Sequence, residues 1–320
     1  MNKIIETDDY FLEAGENASH FLVTTAMTEK HYANWFLYSL SSWRVYARRY
    51  GLGILCFKRD LIDRSSPAYK NGSWQKMLAP MIAHNLVPNI SRVCLIDSDI
   101  VVGPFAANIF EHAPEGFYSV VSLINNLPFP EALVLRRIAF FRNKYYSNSY
   151  PLDSFLLGDP FDEFRDLGLE PPENYFCAGV VVLDISMAGQ MRDWYFSVES
   201  SKDFDAWEQT HLNYWIQNSK HYWLPYEFQA IWKYEMAWKY PFLYSLGESI
   251  QSSELAGKCI RASLWNSHFL HFAGSWHESL GWKQSVINLP ELDDNVDNLS
   301  SFLSAEVTGA KKGKITPECM

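Results

Sequence analysis

The sequence lacks several patterns that would define a function class. Its five cysteines are scattered and form no CxxC pair, so zinc-ribbon and dithiol redox sites are not indicated. No apolar run approaches the ~18 residues of a membrane-spanning helix, and the polar, acidic residues 1–15 do not have the pattern of a secretory signal. We therefore expect a cytoplasmic protein with reduced thiols and no transmembrane segment.

The chain also lacks the basic excess of a nucleic-acid-binding protein. It has 27 Lys and Arg against 37 Asp and Glu, a net charge of −10, whereas phosphate binding needs Lys and Arg. What it does have is a composition that is 48% hydrophobic and 16% aromatic. That is enough for a large core, and some of the rings could line a carbohydrate or nucleotide site. We expect a folded protein that binds no nucleic acid.

Apolar, β-forming runs alternate with helical segments in the first hundred residues. Strands are predicted at 21–26, 52–57 and 92–97, with helices between them at 29–50 and 74–85. This order predicts parallel strand pairing with right-handed crossovers. An α/β fold is the expected class.

Single residues predict two of the helix ends. Gly51 should end the first helix, because glycine adopts the left-handed conformation there, and Ser73 should be the N-cap of the second. Further strands are predicted at 117–124, 175–184 and 269–272, further helices at 131–145, 187–200 and 206–219, and a loop at 159–174.

The sharpest chemical feature is a pair of carboxylates at the end of a buried strand. Asp97 and Asp99 directly follow the apolar run 93–96, and ligands bind at the carboxyl ends of strands in open α/β sheets. Two carboxylates there repel each other unless a cation compensates them. A hard divalent cation with oxygen ligands would do so, although two acids that simply face water would give the same pattern.

Two enzyme classes place Asp-x-Asp after such a strand. Haloacid-dehalogenase-like phosphotransferases need it on the first strand, with a later acidic pair. Here two strand–helix units precede it, and Asp293-Asp294 is the only later Asp-Asp pair. The other class is the nucleotide-sugar glycosyltransferases.

Five segments resemble family-8 (glycogenin- and galactosyltransferase-like) glycosyltransferases, in the family's order, between about residues 21 and 282. They are the stretch WQKMLAP…ISRVCLIDSDIVV (74–102), YFCAGVVVLDI (175–185), EQTHLN (208–213), LPYEFQ (224–229) and HFAGSWH (271–277). The resemblance implies a GT-A fold, a Rossmann-like mixed sheet flanked by helices. It also implies transfer of a sugar, with retention, from a nucleoside-diphosphate donor (a UDP-sugar by default) to a hydroxyl of a glycan or glycoconjugate.

The resemblance implies roles for individual residues. Asp97, Asp99 and His271 would bind Mn²⁺ or Mg²⁺, Gln209 would lie below the anomeric carbon, and Glu208 would orient the donor sugar. The donor-binding residues would be Thr25, Tyr32, Lys76, Ser98, Gly179, Gly274 and His277. On their own, Gly179 could equally be a packing glycine and Lys76 a solvated helix residue.

The same resemblance gives the expected domain organisation. One catalytic domain would span 18–285, with a nucleotide-binding part at 18–125 and an acceptor-side part at 126–285, followed by a polar tail at 286–320. A catalytically inactive sugar-nucleotide or glycan-binding module is the main alternative function, and the intact Asp97, Asp99 and His271 set argues against it.

Overall fold

The computed structural model describes residues 2–145, 160–198 and 208–273. Gly274, His277, Asp293-Asp294 and the expected tail 286–320 lie outside the described residues, so the predictions made for them stay predictions.

Eleven strands form two sheets within the described residues. They are β1 (Lys3–Glu6), β2 (Tyr10–Ala14), β3 (His20–Thr25), β4 (Gly53–Phe57), β5 (Arg92–Ile96), β6 (Ile100–Val102), β7 (Tyr118–Ser122), β8 (Phe176–Asp184), β9 (His221–Leu224), β10 (Ala230–Ile231) and β11 (Phe269–His271).

Eleven α-helices are found in the same part of the chain. They are α1 (Glu29–Asn34), α2 (Leu40–Tyr50), α3 (Gly72–Gln75), α4 (Ala79–Leu86), α5 (Ile109–His112), α6 (Glu131–Tyr145), α7 (Pro160–Asp166), α8 (Ala188–Ser197), α9 (Glu208–Gln217), α10 (Trp232–Lys239) and α11 (Glu254–Asn266). A π-helical turn, Trp35–Ser39, joins α1 to α2, and 3₁₀ turns lie at Ile185–Met187, Tyr226–Gln229 and Pro241–Ser252.

The main sheet has the strand order β1-β2-β4-β3-β5-β8-β7-β9, and a small second sheet has the order β10-β11-β6. β3 pairs in parallel with both β4 and β5, which confirms the predicted pairing. β8 runs antiparallel to β5 and to β7, so the sheet is mixed. The expected mixed α/β sheet flanked by helices is confirmed.

Both faces of the main sheet are covered by apolar side chains. Leu22 and Ile54 pack with Trp43 of α2 on one face, whereas Leu55 packs with Met191 of α8 on the other. Because neighbouring residues of a strand point to opposite faces, strands covered on both sides are continuous apolar runs. That is why the central strands can be predicted from the sequence.

Three local predictions are wrong or incomplete. The N-cap of α3 is Asn71, whose side chain accepts from the Trp74 amide, and Ser73 lies inside the helix. The predicted loop 159–174 contains α7. The hairpin of β1 and β2 was not predicted, because β1 is mostly exposed and β2 alternates between buried and half-buried residues. Gly51 does end α2, with a left-handed φ of 66°.

Candidate metal centre and adjoining cavity

The turn after β5 is held by the strands on either side of it. The backbone amide of Asp97 donates to the carbonyl of Gly179 on β8 (2.9 Å), and that of Phe272 donates to the carbonyl of Asp99 (3.2 Å). His271 is paired with Ile100 across the antiparallel ladder of β11 and β6. These contacts bring a late strand of the described chain beside the Asp-Ser-Asp turn.

Three potential metal ligands converge at this turn. One ligand atom each from Asp97, Asp99 and His271 lies within 4.8 Å of the other two. His271 Nε2 is 3.2 Å from Asp99 Oδ1 and 3.8 Å from Asp97 Oδ2. Two carboxylates and an imidazole form a donor set suited to a divalent cation such as Mn²⁺.

Burial and charge set the protonation of this cluster. Burial is the largest single influence on the pKa of His271 and would lower it, but the charge of Asp99, together with Cys177 and the hydrogen bonds to both, raises that pKa well above its usual value. Burial would raise the pKa of Asp99, yet the charge of His271 and the hydrogen bond with it lower that pKa. His271 and Asp99 therefore form a buried ion pair in the metal-free protein.

Lys76 is a second buried cation in the cluster. Its Nζ lies 2.8 Å from Asp97 Oδ1 and 2.9 Å from Glu208 Oε1, and it donates to the carbonyl of Ala178 (3.3 Å). Burial alone would lower the pKa of Lys76, but the charges of Asp97 and Glu208 raise it overall. Lys76 is thus charged and shared by two carboxylates, and the alternative of a solvated helix lysine is wrong.

A cavity of about 660 Å³ adjoins the cluster, within the roughly 300–1,000 Å³ of small-molecule sites. Eight of the predicted site residues line it: Thr25, Lys76, Asp97, Ser98, Asp99, Glu208, Gln209 and His271. Residues predicted from different segments of the chain are therefore brought to one surface.

Gln209 is held in one orientation at this surface. Its Nε2 donates to the hydroxyl of Tyr175 (2.6 Å), and its Oε1 accepts from the backbone amide of Ala178 (3.2 Å). Burial raises the pKa of Tyr175, so this phenol is neutral at ordinary pH. A fixed amide and a phenol therefore lie side by side on the cavity wall.

Two predicted donor-binding residues are not among the residues that line the cavity. The Tyr32 hydroxyl donates to Glu6 Oε1 (2.6 Å), and Tyr32 is not among the lining residues. Gly179 is also not among them. A Cβ at Gly179 would lie 2.4 Å from His271 Cε1, so this glycine makes room for the imidazole, as the packing alternative expects. A donor-binding role for either residue stays a prediction.

Sequence reasoning missed three functional candidates. Glu163 of α7 lines the cavity, and its Oε2 accepts from the Thr210 hydroxyl (2.5 Å); nothing in a segment predicted to be a loop indicated it. Tyr175 and Gln229 both lie in segments that carry the family resemblance, and neither was given a role. Gln229 contacts His271.

No helix in the described part of the chain is long and apolar enough to cross a membrane. No protein-family model matches the sequence, and no curated protein matches it.

Among solved structures, the chain is similar to a glycosyltransferase involved in the glycosylation of the major capsid of PBCV-1. The two are 10% identical with a TM-score of 0.43, over 81% of this chain and 96% of that one. The chain is also similar to the apo structure of WbbM, a bifunctional glycosyltransferase. In that case the identity is 12% and the TM-score 0.46, over 87% of this chain and 52% of that one, so this chain spans about half the length of WbbM.

Proposed function

We propose that this protein is a metal-dependent glycosyltransferase of the GT-A type. It would move a sugar from a nucleoside-diphosphate donor to a hydroxyl of a glycan or glycoconjugate. The observation that carries the proposal is the convergence of Asp97, Asp99 and His271 on the wall of a cavity of about 660 Å³.

The residues present fit a divalent cation. Asp97 and Asp99 offer carboxylate oxygens, and His271 directs Nε2 at both. Hard oxygen donors with one imidazole suit Mn²⁺ or Mg²⁺. When bound, such an ion supplies positive charge for a diphosphate and stabilises the departing nucleoside diphosphate.

The chain's own groups would orient the donor. Lys76 fixes the Asp97 carboxylate and offers a positive charge beside the metal position. Glu208 is buried and paired with that lysine, and its carboxylate could accept hydrogen bonds from donor-sugar hydroxyls. Gln209 presents an amide held by Tyr175 and Ala178, which is suited to the position below the anomeric carbon.

Retention of the donor's configuration is the favoured stereochemical outcome. It follows from the family resemblance of Glu208 and Gln209. Glu163 favours the inverting alternative, because a carboxylate on the cavity wall could remove the proton of an acceptor hydroxyl. The two mechanisms differ in the anomer of the first product.

The experiment that tests the function is a screen of donors by thermal unfolding and by product formation. Nucleoside diphosphates and UDP-, GDP- and other sugar nucleotides are added with and without Mn²⁺. We expect stabilisation only when nucleotide and metal are both present. At a ligand concentration a hundred times Kd it should be about 2.7 kcal/mol. We also expect one of the donors to release its nucleoside diphosphate.

The outcomes separate the candidates. An inactive sugar-nucleotide-binding module would be favoured if nucleotides stabilise the protein but no turnover is seen. Neither transfer to a range of glycan acceptors nor hydrolysis of the donor should then be detected. No stabilisation by any nucleotide with Mn²⁺ would contradict the proposal. Asp97→Asn and Asp99→Asn are the matched variants, and both should remove the metal-dependent part of the stabilisation.

A further inference from the structure

We propose that Gln229 is a positioning residue that holds His271 in the tautomer able to bind a metal ion. The inference rests on the proposed metal-dependent function and deepens it. Gln229 is fully buried and directly precedes β10, which pairs in parallel with β11. Its amide contacts His271 Nδ1, whereas Nε2 of the same ring faces Asp97 and Asp99.

The backbone of β8 determines how the Gln229 amide is oriented. The carbonyl of Cys177 can only accept a hydrogen bond, and the amide of Gly179 can only donate one. With the Gln229 NH₂ group toward Cys177 O (3.1 Å), its oxygen accepts from Gly179 N (3.3 Å) and from His271 Nδ1 (3.1 Å). The reverse orientation would set donor against donor and acceptor against acceptor.

This orientation determines the tautomer of His271. Because the amide oxygen can only accept, the hydrogen must be on Nδ1. A neutral ring then carries its lone pair on Nε2, which lies 3.2 Å from Asp99 Oδ1, on the side where the two carboxylates converge. The other tautomer would direct an N–H at the metal position and could not bind there.

Close packing limits the rotation of the ring. A Cβ at Gly179 would lie 2.4 Å from His271 Cε1 and 2.6 Å from the Gln229 amide, so there is no space even for a methyl group. The side chain of His271 is itself buried. The strand, the amide and the imidazole therefore fit in one arrangement.

Titration of the purified protein with Mn²⁺ alone, followed by the electron paramagnetic resonance signal of free Mn²⁺, tests the inference. Gln229→Met removes the acceptor at similar size, and we expect Mn²⁺ affinity to fall about tenfold or more, as for other partners of metal-binding histidines. Gln217→Met is the matched control. It deletes an amide that donates to the carbonyl of Asn174 (2.8 Å), away from His271, and should bind Mn²⁺ as the wild type does.

A double-mutant cycle separates positioning from a general loss of structure. If Gln229 acts through His271, adding Gln229→Met to His271→Ala should change Mn²⁺ affinity less than about twofold. Losses that multiply would overturn the inference, and so would wild-type affinity in the Gln229→Met single variant.

Conservative variants keep the test valid if Gln229→Met does not fold, as judged by circular dichroism. Gln229→Glu keeps an acceptor toward Nδ1, and its second oxygen, when protonated, can donate to the Cys177 carbonyl as the amide does. This variant should bind Mn²⁺ within about threefold of the wild type. Gln229→Asn withdraws the amide by one methylene and should lose affinity as Gln229→Met does. Equal affinities of the Glu and Asn variants would overturn the inference.

The failure of this inference can be told apart from the failure of the proposed function. If the wild type binds no Mn²⁺, with or without nucleotide, both are wrong. If His271→Ala weakens Mn²⁺ binding and the Gln229 variants do not, only the role of Gln229 is wrong.

Discussion

Buried Lys76 and partly exposed Asp97 form an ion pair in which Nζ lies 2.8 Å from Oδ1. The second oxygen of the same carboxylate lies 3.8 Å from His271 Nε2. The acidic cluster at the end of β5 is therefore compensated by two cations of the chain itself. Repulsion between Asp97 and Asp99, the starting point of the sequence argument, is largely relieved before any metal ion binds.

Replacing Lys76 should destabilise the metal-free protein. Lys76→Met leaves Asp97 and Glu208 close together without their shared cation, and breaking a buried ion pair typically costs about 3–5 kcal/mol. Because Asp97 is partly exposed, we expect the lower end, about 3 kcal/mol, in urea unfolding with EDTA. Lys258→Met is the control: it removes an exposed pair with Glu254 and should change stability far less than Lys76→Met does. Equal losses in the two variants would contradict the pairing.

Replacing Gly179 should disable the metal site through sterics alone. In Gly179→Ala the new Cβ would meet the His271 ring at 2.4 Å, and overpacking of this kind costs about 1–3 kcal/mol. We expect a lower thermal midpoint and loss of Mn²⁺-dependent nucleotide binding. Gly189→Ala is the matched control, since its Cβ would meet only the Met81 side chain at 3.7 Å and it lies in α8. The Gly189→Ala control should show normal Mn²⁺-dependent nucleotide binding and be no less stable than the wild type.

The fold could be predicted where burial leaves a pattern in the sequence, and not elsewhere. Apart from Arg92 at the start of β5 and Asp184 at the end of β8, both strands lack polar side chains because both of their faces are covered, so their positions were predicted nearly to the residue. β1 is mostly exposed and leaves no such pattern. In α7 one residue, Phe164, is buried, which is too little for a helical period.

The site could be predicted only as a set of residues and not as a network. The Asp-x-Asp motif and the segment around His271 indicated the ligands. The pairing of Lys76 with both Asp97 and Glu208 could not be foreseen, because it depends on how α3 packs against β3 and α9 against β8. Glu163 shows the same limit: it enters the cavity through a helix that the sequence did not predict.

The stereochemistry of the product should identify the role of Glu163. If the reaction retains configuration, proton NMR of the first product shows the donor's anomer. Glu163→Gln should then change the apparent KM for the acceptor more than the turnover rate, since the side chain would act in acceptor binding. An inverted anomer, together with a turnover rate at least about a hundredfold slower in Glu163→Gln, would instead assign Glu163 as the general base.

His211 should make stability depend on pH in mildly acidic solution. Burial, with a smaller contribution from Lys70, lowers the pKa of His211 to about 4, and the ring contacts the rings of Trp74 and Trp215. An unfolded chain takes up this proton near ~6.5. The contribution of His211 to the free energy of unfolding is therefore complete above pH ~6.5 and is lost as the pH falls toward about 4.

The measurement is urea unfolding of the wild type and of His211→Phe between pH 7.5 and 5. Since one pKa unit corresponds to about 1.4 kcal/mol, His211 should cost the wild type at most about 2 kcal/mol over this range. The variant should lack that loss. Parallel stability curves for the two proteins would show that His211 does not remain neutral in the folded state.

Binding of a metal ion should release a proton from His271. The nearby Asp99 raises the pKa of His271 despite burial, so the ring is charged in the metal-free protein at pH 7.5, and only a neutral imidazole can bind a metal ion. Calorimetric titration with Mn²⁺ in two buffers of different ionisation enthalpy measures the proton count. We expect about one proton per Mn²⁺ in the wild type and none in His271→Ala. An imidazole with the ordinary pKa of ~6.5 would release only about 0.1 proton per Mn²⁺ at pH 7.5. Such a value in the wild type would show that the ion pair with Asp99 does not hold the proton, and Mn²⁺ affinity would then level off above pH ~6.5 instead of rising further.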